Sequence, residues 1–270
     1  MKARFNGVDL YLETRGSAGP SIVLVHGSWG DHHNWDGVVP LLARSCRVTT
    51  YDRRGHSQSE RLATQGSIRD DVRDLAALID GLGIAPAHVV GSSFGAIVTL
   101  NLIIARPDLF ASAAIHEPPL IGILDGNPAL SAARQRIGAV METLSAGKTE
   151  AGARQFVDTV AFGPGAWEQL TPTMRETFVF NAPTWVDEMN EPAAFSLDPA
   201  KLSMYGGPLL ISHGDQSPPF FAAIVEQIAD AVPRAQRHVF RGAGHVPHLS
   251  HPDDYALVIG SFISGVAGAT

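Results

Sequence analysis

Short β-branched runs alternate with segments of helical periodicity along most of the chain, which narrows the fold to a mainly parallel sheet covered by helices on both faces. Ile22 to Val25 and Arg47 to Tyr51 read as strands that end in loops. Ile68 to Leu82 brings Ile68, Val72, Leu75, Ala76, Ile79 and Leu82 to one helical face, and Gly83 stops it. His88 to Val90 reads as a strand, Phe94 to Ala105 as a helix apolar on most faces, and Ser112 to Ile115 as a strand. The order recurs in Pro208 to Ser212, Phe220 to Ala231, Gln236 to Phe240 and Tyr255 to Ile263. Ahead of it all, Phe5 to Gly7 and Val8 to Glu13 suit a hairpin turning at Asn6-Gly7.

Residues 118–207 break the pattern. Ala129 to Leu144 and Gly152 to Ala161 are helical, five prolines from Pro164 to Pro199 punctuate the segment, and no strand is recognisable. The reading is a helical cap over 118–207, inserted into a sheet domain made of 1–117 and 208–270. Phe162, Trp167, Phe178, Phe180, Trp185 and Phe195 serve as cap core or pocket wall.

Composition removes several classes of function. Lys plus Arg total 20 against 27 acidic residues, a net charge of −7, which argues against a nucleic-acid partner. The single cysteine, Cys46, excludes a disulfide scaffold. Charges at Lys2, Arg4, Asp9, Glu13 and Arg15 interrupt the N-terminus, and no stretch reaches the roughly 18 apolar residues of a membrane span. A soluble, cytoplasmic protein is expected, with a homo-oligomer left open.

The sharpest motif is Gly91-Ser92-Ser93-Phe94-Gly95, a G-x-S-x-G between a predicted strand and a predicted helix. Its glycines permit a tight turn that lifts the Ser93 hydroxyl above the sheet edge and places the Phe94 N–H at a helix N-terminus, facing a developing oxyanion. A second donor is expected from His26-Gly27-Ser28-Trp29-Gly30, after the Ile22 to Val25 strand, with the Ser28 N–H the favoured group. Asp52-Arg53-Arg54-Gly55-His56-Ser57 reads as a structural loop whose charges pair with each other.

A serine hydroxyl needs a positioned imidazole to become nucleophilic near pH 7. Of the 11 histidines, His245 in the glycine-bracketed loop after the last strand is best placed to reach Ser93. His248 and His251 crowd the final helix, His32 and His33 belong to the early loop, and His213 ends a strand. No carboxylate or cysteine completes a metal ligand set around His245 and His248, so no metal is expected.

Together these loops, in this order and spacing, resemble the capped members of the α/β-hydrolase superfamily over essentially the whole chain. The resemblance implies a mostly parallel eight-stranded sheet flanked by helices, with a helical cap. It also exposes a departure. The usual acid lies three residues after the glycine ending the seventh strand, and in Gly214-Asp215-Gln216-Ser217 that position is Ser217. Two carboxylates could substitute: Asp215, two residues early, and Glu117 in Ile115-His116-Glu117-Pro118-Pro119 at the preceding strand end. Some family members place their acid at the latter position. Zearalenone lactonases are similar in their histidine and glutamate there, in a hydroxyl residue replacing the usual acid, and in a Pro-x-Trp like Pro183-Thr184-Trp185. Glu117 is favoured, with Asp215 the alternative.

The expected chemistry is hydrolysis of a carboxylic ester or lactone: Ser93 attacks, His245 takes its proton, Glu117 orients the imidazole, and Phe94 and Ser28 N–H groups hold the oxyanion. Trp29 and Trp185 are the expected aromatic walls, and no cofactor is needed. Ser93 argues against an aspartate nucleophile, as in dehalogenases and epoxide hydrolases of this fold. A cofactor-free haloperoxidase or perhydrolase and a C–C bond hydrolase share the serine triad and stay as alternatives. So does a non-catalytic receptor for a small ligand, which would release its ligand intact.

Overall fold

In the computed structural model, which describes residues 1–62, 67–124, 126, 127 and 129–268, eight strands form one sheet. They are β1 (Lys2–Phe5), β2 (Val8–Arg15), β3 (Ser21–Val25), β4 (Arg47–Tyr51), β5 (Ala87–Ser92), β6 (Phe110–His116), β7 (Leu209–Gly214) and β8 (Gln236–Phe240). Their order is β1-β2-β4-β3-β5-β6-β7-β8. The β1–β2 hairpin turns at Asn6-Gly7, both with positive φ, and β2 lies antiparallel to β4. Every later pairing is parallel.

The longer helices are α1 (Ile68–Gly81), α2 (Phe94–Ala105), α3 (Ala129–Ser145), α4 (Thr149–Phe156), α5 (Pro172–Met189), α6 (Pro219–Ala231) and α7 (Pro252–Ala267). Alternate strand residues feed two separate layers, as the two-residue period of a strand requires. Val23 and Val25 pack with Leu75, Leu78, Ile97 and Ile224 of α1, α2 and α6. Ile22 and Leu24 pack on the opposite face with Trp35, Leu42, Ile259 and Phe262. Burial on both faces explains why the central strands read as continuous apolar runs.

Between β6 and β7 the described residues contain helices and no strand. The expected helix Gly152 to Ala161 starts earlier, at Thr149, and widens into a π-helical turn over Val157–Ala161. Val140, Ala153, Val157, Trp167, Ala182 and Trp185 from this segment close around Trp29, which belongs to the loop after β3. The insertion thus packs directly over the carboxyl ends of the strands, where open parallel sheets hold their ligands. Phe180 is the exception among its aromatics: it is exposed and lies under the Arg61 guanidinium at 4.8 Å.

Candidate active site

Ser93 sits between β5 and α2 with φ 54° and ψ −123°, a conformation that a non-glycine residue keeps only when its surroundings impose it. Its N–H is held by the His116 carbonyl at 2.9 Å. The motif glycines are required sterically: a Cβ on Gly91 would strike the Gly95 carbonyl, and one on Gly95 would strike the Val25 carbonyl. Gly27 has the same status, since a Cβ there would come within 2.8 Å of the Ser93 Cβ.

Glu117 ends β6, and its carboxylate is fully buried and doubly engaged. Oε1 accepts the Gly214 N–H at 2.7 Å, and Oε2 accepts from His245 Nδ1 at 2.6 Å. Burial alone would raise its pKa, but the hydrogen bond and charge of His245, aided by His116 and Ser217, prevail and hold it at about 2. Phe221 stacks on the His245 ring at 4.6 Å, which fixes the ring plane from the side. His116, whose pKa burial lowers to about 3, bonds to Ser212 Oγ at 3.0 Å.

Asp215 faces elsewhere. Its Oδ1 accepts the Gly242 N–H at 2.8 Å, and its Oδ2 pairs with Arg241 at 3.6 Å near the surface. The Ser217 hydroxyl is buried near Glu117 and favours its anion. Of the two candidate carboxylates, the structure therefore joins only Glu117 to His245.

Ser93, His245, Ser28 and Trp185 line one cavity of about 1130 Å³, together with Phe156, Phe162, Phe178, Phe195, Phe220 and Phe221. The Ser93 hydroxyl makes no hydrogen bond among the described residues; in unliganded enzymes such contacts commonly close only with substrate. Neither the Ser28 nor the Phe94 N–H is spent on a described protein acceptor. Trp29 corrects one expectation: it does not line the cavity. Fully buried, with φ 67°, it stacks on Phe156 at 4.5 Å and backs Trp185 at 5.1 Å, so it supports the wall from behind.

The loop 52–57 corrects another. Its charges do not pair with each other. Arg53 binds Asp71 at 3.0 Å and Glu188 at 2.8 Å, Arg54 binds Asp74 at 2.6 Å, and Asp52 meets His32 at 2.6 Å. Arg53 is fully buried, yet Asp71 and Glu188 overcome the desolvation and keep its guanidinium charged. Glu188 and Asn181 on α5 escaped the sequence reading. The signal was their seven-residue spacing, two helical turns, among aromatic neighbours.

Asp31, His32 and Asp52 bring potential metal-ligating atoms within 4.8 Å of one another. Each is already engaged: Asp52 by His32 and the Gln58 N–H at 2.9 Å, Asp31 by the His33 N–H at 2.9 Å and the Ser57 hydroxyl at 2.8 Å. The cluster clamps two loops together.

A strand-to-helix serine turn and a late-loop histidine on a strand-end carboxylate accompany a match of residues 22–257 to the alpha/beta hydrolase family. The chain belongs to the alpha/beta hydrolase family. A hydrolase of Bacillus subtilis (strain 168) is 42% identical over 45% of this chain and 45% of its own length, so the chain aligns with about half of that relative. A 2-hydroxymuconate semialdehyde hydrolase of Pseudomonas sp. (strain CF600) is 30% identical over 96% of this chain and 91% of its own. A zearalenone hydrolase of Bionectria ochroleuca is 28% identical over 94% and 93%. An alpha/beta hydrolase from Sphaerobacter thermophilus DSM 20745 superposes with TM-score 0.80, covering 97% of this chain and 99% of that one at 24% identity, which shares the fold. No helix among the described residues is long and apolar enough to cross a membrane.

Proposed function

We propose that this alpha/beta hydrolase cleaves carboxylic esters or lactones through an acyl-enzyme, with segment 118–207 acting as a cap that walls the substrate cavity. The observation that carries the reading is the 2.6 Å bond between His245 Nδ1 and Glu117, in a cavity that Ser93 also lines. Glu117 fixes the tautomer that leaves Nε2 free to accept a proton, and its charge favours the imidazolium that follows.

Ser93 Oγ attacks the carbonyl carbon as His245 takes its proton. The oxyanion forms against the Phe94 and Ser28 N–H groups, in a largely apolar cavity. His245 then protonates the leaving alkoxide, which departs from an ester or stays tethered in a lactone. Water, deprotonated by the same imidazole, releases the acid and restores Ser93.

The cavity supports a bulky, uncharged substrate, because aliphatic and aromatic side chains make up most of its wall and Arg134 is the one Arg or Lys among the described residues lining it. Likeness to a zearalenone hydrolase over nearly the whole chain supports a lactone. A second reading, hydrolysis of a muconate-type compound, is favoured by the 30% identical relative. Its carboxylate would call for more cationic lining than this cavity offers.

The test is a panel of p-nitrophenyl esters, small lactones, macrolactones and 2-hydroxymuconate semialdehyde, with a fluorophosphonate to label the reactive serine. Turnover of esters or lactones, label on Ser93, and loss of both in Ser93→Ala are expected. Turnover confined to the semialdehyde would favour the second reading, and undiminished hydrolysis by Ser93→Ala would reject the mechanism.

A further inference from the structure

The loop that carries Ser28 is held in part from outside its own segment. Trp29 occupies the left-handed region at φ 67°, an outlier for so bulky a residue, so something outside the loop must keep it there. Two side chains of α5 meet it. Asn181 Nδ2 donates to the carbonyl oxygens of Trp29 at 3.1 Å and Gly30 at 2.9 Å. Glu188, two turns along the same face, accepts the Ser28 hydroxyl on Oε2 and Arg53 Nη2 on Oε1, the latter at 2.8 Å.

Arg53 reaches the other proposed donor as well. Its guanidinium lies 4.5 Å above the Phe94 ring and is anchored to Asp71 at 3.0 and 3.2 Å. Arg53, Asn181 and Glu188 are all buried, and none of them lines the cavity. Burying an Arg–Glu pair is poor stabilisation compared with apolar packing, which points to a role in fixing conformation.

We propose that Glu188 and Asn181, with Arg53 behind them, are positioning residues for oxyanion stabilisation: the insertion helix α5 sets the place of the Ser28 N–H and braces Phe94. The inference rests on the reading of Ser93 as nucleophile and of Ser28 and Phe94 as donors. Seating of the insertion and readiness of the catalytic centre are then one event, because the same carboxylate serves both.

Glu188→Gln tests this: it removes the charge that holds Arg53 and leaves one oxygen where two separate oxygens accept from Arg53 and from Ser28. Ser28→Ala is the second variant; it keeps the N–H and removes only the tether, so it carries the test if Glu188→Gln does not fold. With the best ester of the panel, kcat should fall about 10- to 100-fold in each, less than or comparable to loss of a donor itself, with KM within about threefold. Affinity for phenylboronic acid, which forms a tetrahedral adduct on the serine, should fall by the same factor as kcat. The double variant should be no slower than the slower single one. A lowered Tm with kcat and boronate affinity unchanged would overturn the proposal and leave the network as mere glue. Fully multiplicative losses in the double variant would overturn it too. If fluorophosphonate labels a residue other than Ser93 in the parent protein, the underlying mechanism fails instead, which separates the two failures.

Discussion

Glu117 and His245 stand 128 residues apart in the chain and 2.6 Å apart in the structure. The contact exists because β6 and β8 flank β7: the carboxylate leaves the end of β6, bonds the Gly214 N–H at the end of β7, and meets the loop that follows β8. On the proposed mechanism, a carboxylate one strand nearer Ser93 takes the place beside His245 that the turn after β7 would otherwise fill. Ser217, in that turn, is left to favour the anion from the side.

Glu117→Gln should therefore lower kcat by about 10³- to 10⁴-fold, the scale of losing the group that fixes the tautomer in a serine triad. Asp215→Asn should change it less than about threefold, since Asp215 is occupied with Gly242 and Arg241. Steady-state kinetics on one ester decides between them, and a larger loss in Asp215→Asn would transfer the role.

The same carboxylate should shape stability against pH. The fold holds its pKa at about 2, below the ordinary 4.5, so the folded state favours the anion. That stabilisation is present above about pH 4.5 and is lost as pH falls toward 2, with a ceiling of roughly 3 kcal/mol. Urea unfolding from neutral pH downward should show the gap between the parent protein and Glu117→Gln narrowing across that window. A gap that stays constant would mean the carboxylate gains nothing from its partners.

The strands of the parallel sheet, the helix faces and the serine turn were legible because each leaves a local signature: β-branched runs, apolar spacing in α1 and glycines around Ser93. His245 was legible because glycines flank it after the last strand. Trp29 was misplaced for a physical reason: sequence marks an aromatic residue in a loop as apolar but cannot say which side of a wall it takes. Arg53 was misread because its partners, Asp71 and Glu188, come from two helices whose docking over the loop no local pattern encodes.

Ser93 should be a site where stability is sacrificed for chemistry. Its φ of 54° is readily adopted by glycine, so Ser93→Gly should abolish hydrolysis and raise stability by about 1–2 kcal/mol, the scale of strain released at such positions. Chemical denaturation checks the second half of this outcome. A destabilised Ser93→Gly would mean the turn is held without strain.

The two tryptophans should separate by what they touch. Trp185 lines the cavity while packing against Trp29, so Trp185→Phe, which keeps an aromatic ring in the wall, should raise KM for bulky aromatic or macrocyclic substrates several-fold and leave a short acetyl ester nearly unaffected. Trp29 is wholly buried between Phe156 and Trp185 and closes the cluster that joins the insertion to the loop after β3. Trp29→Ala should cost about 3–5 kcal/mol, as large-to-small changes in a packed core do, and lower kcat for every substrate alike, because the Ser28 segment loses its seat. Comparing the two variants on short and bulky esters alongside thermal melts distinguishes wall from support. Substrate-selective losses in Trp29→Ala, at unchanged Tm, would place that ring against the substrate after all.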